Sequence, residues 1–195
     1  MTIGTKGENL NDLSQPVARL KAHLMANAIR QDGPFTLRSG ATSSWYLDGR
    51  QTTFNGGGAR LVAEAVLSCL DPEAVAVGGM TMGADPIAVA AALVSTDQGR
   101  PLNAFSIRKV AKDHGTGGRL VGPVEAGDPV TILEDTTTTT GAFMEAIDAA
   151  EADGLLVIQA ICLVDRSGPL ATETMAARKI PYVALLNPEL LGLGA

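Results

Sequence analysis

Glu134 and Asp135 stand side by side after the largely apolar Val130-Thr131-Ile132-Leu133, and Thr136, Thr137, Thr138, Thr139 and Thr140 follow before Gly141, Ala142 and Phe143. This order reads as a buried strand that delivers two carboxylates, then a hydroxyl-rich turn, then a helix beginning near Gly141. A helix N-terminus exposes unpaired N–H groups and a partial positive charge, which together suit a phosphate. Threonine hydroxyls add donors, and a glycine lets the backbone come close to a ligand. Two adjacent acids would repel that phosphate unless they serve another group, and a carboxylate can accept two hydrogen bonds from a vicinal diol. Phosphate cradle and diol acceptors together describe a pocket for ribose 5-phosphate. A threonine-rich helix cap accounts for any single threonine, but not for paired acids followed by five hydroxyls. The GxxxxGK[ST] pattern of a Walker loop is missing.

A second cluster is cationic. Arg108, Lys109, Lys112 and Arg119 place four of the chain's fifteen Lys and Arg within twelve residues, with His114 among them. The net charge is −6, which argues against general nucleic-acid binding and makes a local concentration of positive charge a sign of an anionic small molecule. Arg108 and Lys109 close a strand, whereas Lys112 and His114 lie on a segment freed by Gly115, Gly117 and Gly118. A cationic segment of this kind suits a reaction that must close over a pyrophosphate and exclude water.

These residues need elements to hold them. Apolar positions at Leu13, Val17, Leu20, Leu24 and Ala28 predict a helix from Leu13 to Ile29, followed by extended pieces at Pro34–Arg38 and Trp45–Asp48. A second helix is expected over Gly58–Leu70. Strands are then expected at Ala74–Val77, Leu102–Ile107, Pro129–Leu133, Leu155–Val164 and Tyr182–Leu186, with helices at Asp85–Val94, Gly141–Ala152 and Ala171–Lys179. Strands alternating with helices imply a parallel α/β sheet covered on both faces. Residues 1–55 do not fit the alternation and are expected to form a small lobe beside an α/β core of residues 56–195. Ligands of such sheets collect at the strands' carboxyl ends, which directs attention to the loops after Val77, Ile107, Leu133 and Val164.

A chain of 195 residues, 46% hydrophobic and 18% charged, is globular and long enough to bury a full core. No apolar run reaches the roughly 18 residues needed to span a membrane, and the first residues lack a secretory signal pattern. Cys69 and Cys162 lie far apart in apolar surroundings and read as buried free thiols of a reducing compartment, so a cytosolic protein is expected. His23 has no partner nearby in sequence and reads as structural.

Four runs carry a family resemblance. ILEDTTTTTGAF resembles the phosphoribosyl pyrophosphate (PRPP) signature of type I phosphoribosyltransferases, in which a second glycine usually stands where this chain has Thr140 or Ala142. Arg108-Lys109-Val-Ala-Lys112-Asp113-His114-Gly115-Thr-Gly117-Gly118 resembles the RKxxKDHGxGG loop of the orotate phosphoribosyltransferases. The segments from Phe35 to Asp48 and from Gly78 to Ala88 are similar to that family's amino-terminal lobe and pyrophosphate loop. Some relatives have Lys at the position of Met82, and many have Lys at that of Arg38.

The resemblance implies a type I phosphoribosyltransferase-like parallel sheet flanked by helices, with a small N-terminal hood lobe covering the base. It implies that Glu134 and Asp135 hold the ribose hydroxyls while Thr136, Thr137, Thr138, Thr139, Thr140, Gly141 and Ala142 wrap the 5-phosphate. Arg38, Arg108, Lys109, Lys112 and His114 then contact PRPP or its pyrophosphate, with Lys112, His114 and Asp135 as the catalytic set. Arg166, after Val164-Asp165, resembles the arginine that pairs with the orotate carboxylate, with Tyr46 and Thr138 beside the base. Mg²⁺ is implied as cofactor, held mainly by PRPP rather than by a dedicated protein metal site. A homodimer is implied, in which each loop serves the neighbouring subunit's site. Partners are the small molecules PRPP and orotate, with no nucleic acid and no membrane. The alternatives are a type I transferase for another base and a nonenzymatic PRPP- or nucleotide-sensing regulator on the same fold.

Overall fold

The computed structural model describes residues 13–36, 42–111 and 118–194, so Arg38, Lys112 and His114 lie outside the described residues. Helix α1 (Gln15–Asn27) begins with Pro16 in its first turn, where the missing N–H costs nothing, and turns Val17, Leu20 and Leu24 inward. Four two-residue strands follow: β1 (Ile29–Arg30), β2 (Phe35–Thr36), β3 (Thr42–Ser43) and β4 (Tyr46–Leu47). They pair antiparallel as β1 with β4 and β2 with β3. A short α2 (Arg50–Thr53) leads to α3 (Gly56–Leu67), whose N-cap Asn55 accepts from the Gly58 amide.

The remainder follows the expected alternation with β7 and α7 added: β5 (Ala76–Met80), α4 (Asp85–Asp97), β6 (Asn103–Ile107), β7 (Leu120–Val121), β8 (Pro129–Thr137), α5 (Gly141–Ala152), β9 (Leu156–Asp165), α6 (Leu170–Ala177), β10 (Tyr182–Leu186) and α7 (Pro188–Leu191). Six strands form one sheet in the order β10-β9-β8-β5-β6-β7. All neighbours are parallel except β7, which returns antiparallel to β6. Successive residues of one strand feed opposite faces. Leu133 and Ile161 join a cluster with Leu20, Leu24, Val62 and Ile87 from α1, α3 and α4. Ile132, Ala160 and Cys162 join Phe143, Ile147 and Met175 from α5 and α6.

Strand β8 runs four residues past its expected end at Leu133, because β9 continues to pair with it through Thr136↔Val164 and Thr137↔Asp165. The acid pair therefore sits on a hydrogen-bonded strand and not on a loop. From β5 the chain moves outward to β6 on one side, while β8, β9 and β10 build outward on the other. The connections leaving β5 and β8 thus diverge, and the crevice between them at the strands' carboxyl ends is the place for a ligand.

Candidate active site

After β5 the chain turns tightly into α4. The Thr81 amide donates to the Ile107 carbonyl at 2.9 Å, the Thr81 hydroxyl donates to Asp85 Oδ2 at 2.7 Å, and the Thr81–Met82 peptide is cis. Gly83 lies against the acid pair: a Cβ there would stand 2.9 Å from Asp135 Oδ1, so the close approach of loop to carboxylate depends on glycine. Met82 is exposed. A cavity of about 620 Å³ opens here, walled by Tyr46, Arg50, Met82, Lys109, Glu134 and Asp135, with Ala142 and Glu145 from α5.

Asp135 Oδ1 accepts from the Thr136 amide at 2.7 Å. Glu134 is buried, and its Oε2 has no hydrogen-bond partner among the described residues. Burial, and then the neighbouring Asp135 charge, push the Glu134 carboxyl up to about 8, against a smaller downward pull from Lys109. The threonines that follow divide their work. Thr137 is buried and its Oγ1 accepts from the Thr140 amide at 3.2 Å, which closes the turn. Thr138 and Thr139 are exposed at its tip, free to donate outward just before α5. Thr140 caps that helix with φ 61°, a left-handed conformation costing a β-branched residue about 1–2 kcal/mol. This is one of the two positions where the resemblance leads one to expect a second glycine.

Lys109 is the described loop cation on the cavity wall. Arg108 precedes it at the end of β6, where its amide donates to the Arg119 carbonyl at 2.9 Å. Arg50 supplies a wall cation that the sequence did not point out. Its Nε donates to Asp48 Oδ1 at 2.8 Å, and that bond holds the Asp48 carboxyl below its ordinary value. Asp48 lines the same cavity, so Arg50 and Asp48 bring an ion pair, without net charge, to the wall that Met82 leaves uncharged.

A second cavity of about 920 Å³ lies beside the end of β9, lined by Ser43, Trp45, Asp165, Arg166, Asn187 and Leu193 among others. The Arg166 guanidinium lies over the Trp45 ring, 4.1 Å from its centroid, and burial draws its pKa below the usual value. Asp165 does not pair with it. Its Oδ1 accepts from the Ser167 amide at 2.7 Å and the Ser167 hydroxyl at 2.6 Å, and its Oδ2 accepts from the Tyr182 hydroxyl at 2.9 Å. These bonds fix the turn after β9 that carries Arg166. The Arg166 amide donates to the Thr137 carbonyl at 2.8 Å, so the threonine turn and Arg166 share one backbone frame. Consecutive residues Trp45 and Tyr46 face different spaces: Trp45 lines the larger cavity and Tyr46 the smaller.

Outside the site, His23 meets the Thr52 hydroxyl at 3.2 Å, the structural contact expected of it. Cys162 is a buried free thiol, while Cys69 is half-buried and also free. Burial pushes the Cys69 thiol up to about 11, which makes it inert. Of the carboxylates lining the smaller cavity, Asp48 and Glu145 are paired with Arg50 and Arg119, which leaves Glu134 and Asp135 as hard oxygen donors of the type Mg²⁺ prefers when it enters a site on a phosphate ligand. No described helix is long and apolar enough to cross a membrane.

No family model matches the chain. It is 41% identical over 181 residues to the orotate phosphoribosyltransferase of Thermosynechococcus vestitus, which covers 92% of this chain and 93% of that relative. Among solved structures it is similar to orotate phosphoribosyltransferase of Mycobacterium tuberculosis in complex with inorganic phosphate. That match has a TM-score of 0.79 and 29% identity over 92% of this chain and 100% of that one. The same enzyme in complex with PRPP gives a TM-score of 0.74 at 29% identity, covering 91% of this chain and 99% of that one.

Proposed function

The chain belongs to the orotate phosphoribosyltransferase family, and we propose that it transfers the 5-phosphoribosyl group of PRPP to orotate through the crevice between β5 and β8. One observation supports the assignment of roles: the acid pair, Thr136, Lys109 and Ala142 at the start of α5 line one cavity at that crevice, and the backbone bond from Arg166 to Thr137 ties the second cavity to the same strand end.

In this reading Glu134 and Asp135 accept hydrogen bonds from the ribose hydroxyls. Residues from Thr136 to Ala142 cradle the 5-phosphate with the N-terminus of α5 behind them. Departure of pyrophosphate leaves positive charge at the anomeric carbon and gathers negative charge on the leaving group. Lys109 and Arg108, with Arg38, Lys112 and His114 outside the described residues, neutralise that charge most strongly once water is excluded. A nitrogen of orotate then attacks the anomeric carbon, giving orotidine 5′-phosphate and pyrophosphate, with no covalent protein nucleophile. Lys112, His114 and Asp135 form the catalytic set. Mg²⁺ would arrive on the oxygens of PRPP, facing Glu134 and Asp135, and would supply neutralising charge for the pyrophosphate. Arg166 pairs with the orotate carboxylate, with Tyr46 and Thr138 beside the base, and residues 1–55 form the hood.

Two copies pair, each offering its 110–119 loop to the other's site. Supporting the pairing, Val89 and Leu93 stand one turn apart on α4, 61% and 62% exposed, an apolar pair that a second copy would cover. The free thiols suit a cytosolic setting.

The test is loss of orotate absorbance with and without PRPP and Mg²⁺, with turnover expected only when both are present. Equal or faster turnover of hypoxanthine, adenine or uracil would move the chain to a different base. Tight PRPP binding without turnover of any base would make it a sensor.

A further inference from the structure

Trp45 is the chain's only tryptophan and connects two distant parts of the molecule. One ring face carries the Arg166 guanidinium at 4.1 Å. On the other side of the connection, its Nε1 donates to the Gly194 carbonyl at 3.1 Å. The indole is 4% exposed and packs in the cluster that includes Leu191 and Leu193, so the residues after α7 hold it in place. The way Arg166 is held matters for what it can bind. A carboxylate neighbour would occupy its N–H donors and offset its charge, but both Asp165 oxygens are taken by Ser167 and Tyr182. An aromatic face attracts a cation while supplying no acceptor in the guanidinium plane, and among the described residues no side-chain acceptor holds the guanidinium, which leaves N–H donors for a planar bidentate partner.

We propose that Trp45 is a positioning residue for base recognition: its ring fixes the Arg166 guanidinium, and the Gly194 carbonyl fixes the ring, so the last residues of the chain set the affinity for orotate. This rests on the reading of Arg166 as the partner of the orotate carboxylate.

The experiment measures KM for orotate and for PRPP in the full-length enzyme and in Trp45→Leu, Trp45→Phe, Arg166→Ala and a chain ending at Leu193. Trp45→Leu, which removes the ring face, is expected to raise the orotate KM about tenfold while the PRPP KM stays within about twofold. Trp45→Phe keeps a ring but loses the N–H. It should produce a smaller rise, matched by the shortened chain, and combining the two should add nothing further. A parallel shift in both KM values, or a fall in kcat alone, would show a merely structural role and overturn the proposal. If Arg166→Ala itself leaves the orotate KM unchanged, the carboxylate assignment fails instead, a separate and recognisable result. A second arm needs no core substitution. Binding of orotidine 5′-phosphate should change the emission of the single tryptophan, and uridine 5′-phosphate, which lacks the carboxylate, should not. The response should vanish in Arg166→Ala. Equal responses to the two nucleotides, or none to either at saturation, would overturn the proposal.

Discussion

Glu134 is a carboxyl group held where its charged form is poorly supported. It is buried with one oxygen unpartnered among the described residues, and desolvation together with the Asp135 charge pushes it up to about 8. An acid that keeps its proton at neutral pH spares the empty crevice a second adjacent negative charge, and ribose hydroxyls that donate to it would favour the ionised form. The consequence for stability has a definite sign. The unfolded chain releases this proton near pH ~4.3, whereas the folded protein keeps it up to about 8. Between those values the native state binds more protons, so the stability this group permits is fully present below the lower value and is lost as pH rises through the upper one. Glu134→Gln is permanently neutral and lacks this contribution. In urea unfolding of the ligand-free protein without divalent ions, the wild type should lose stability relative to Glu134→Gln from about pH 5 to about pH 8. A difference between the two proteins that stays constant over that range would mean that Glu134 is ionised throughout.

Between elements, Arg119 joins the cationic end of β6 to α5. Its Nε donates to the Arg108 carbonyl at 2.7 Å, and its Nη2 pairs with Glu145 on α5. Glu145 lines the smaller cavity, where a carboxylate without its arginine would repel pyrophosphate. Arg119→Ala should therefore raise the PRPP KM roughly 3- to 10-fold with little change for orotate, and Glu145→Gln in the same background should recover part of that loss. Full additivity of the two substitutions would show that the pair does not act as a unit. The pairing was not legible in the sequence, because the contact links the residue before β7 to α5 only in space. The α/β alternation was legible, since β5 and β9 are buried parallel strands that read as apolar runs, and α5 begins at Gly141 as expected. Strand β8 was read as ending at Leu133 because acids and a polar turn are poor strand signals; its pairing with Val164 and Asp165 overrides that preference. The two-residue strands, α2 and α7 are too short to show a period. Trp45 over Arg166 joins positions far apart in the chain, and a lone tryptophan among few aromatics was the one available hint.

At the scale of the whole molecule, the exposed apolar residues set the question. Ile87, Ala91 and Val94 turn α4 toward the core, while Val89 and Leu93 point away from it, and Phe54 and Met82 are also exposed. A symmetric dimer would cover the Val89 and Leu93 pair with its own copy, since a two-fold axis brings the same patch to both subunits. The same axis would present each 110–119 loop to the opposite crevice, the arrangement implied by the family resemblance. Two impaired variants separate this from a loop that serves its own subunit: Lys112→Ala in the loop and Arg166→Ala in the second cavity, unfolded together, refolded as a mixture and assayed at an orotate concentration too low for Arg166→Ala to turn over measurably. If loops act across the dimer, a mixed pair has one site carrying both defects and one site carrying neither. Random pairing makes about half of the dimers mixed, so activity should return to about a quarter of wild type. If each loop serves its own subunit, every site keeps one defect and nothing returns. A mixture that stays inactive after subunit exchange has been demonstrated would end the shared-site arrangement and leave the transferase activity untouched.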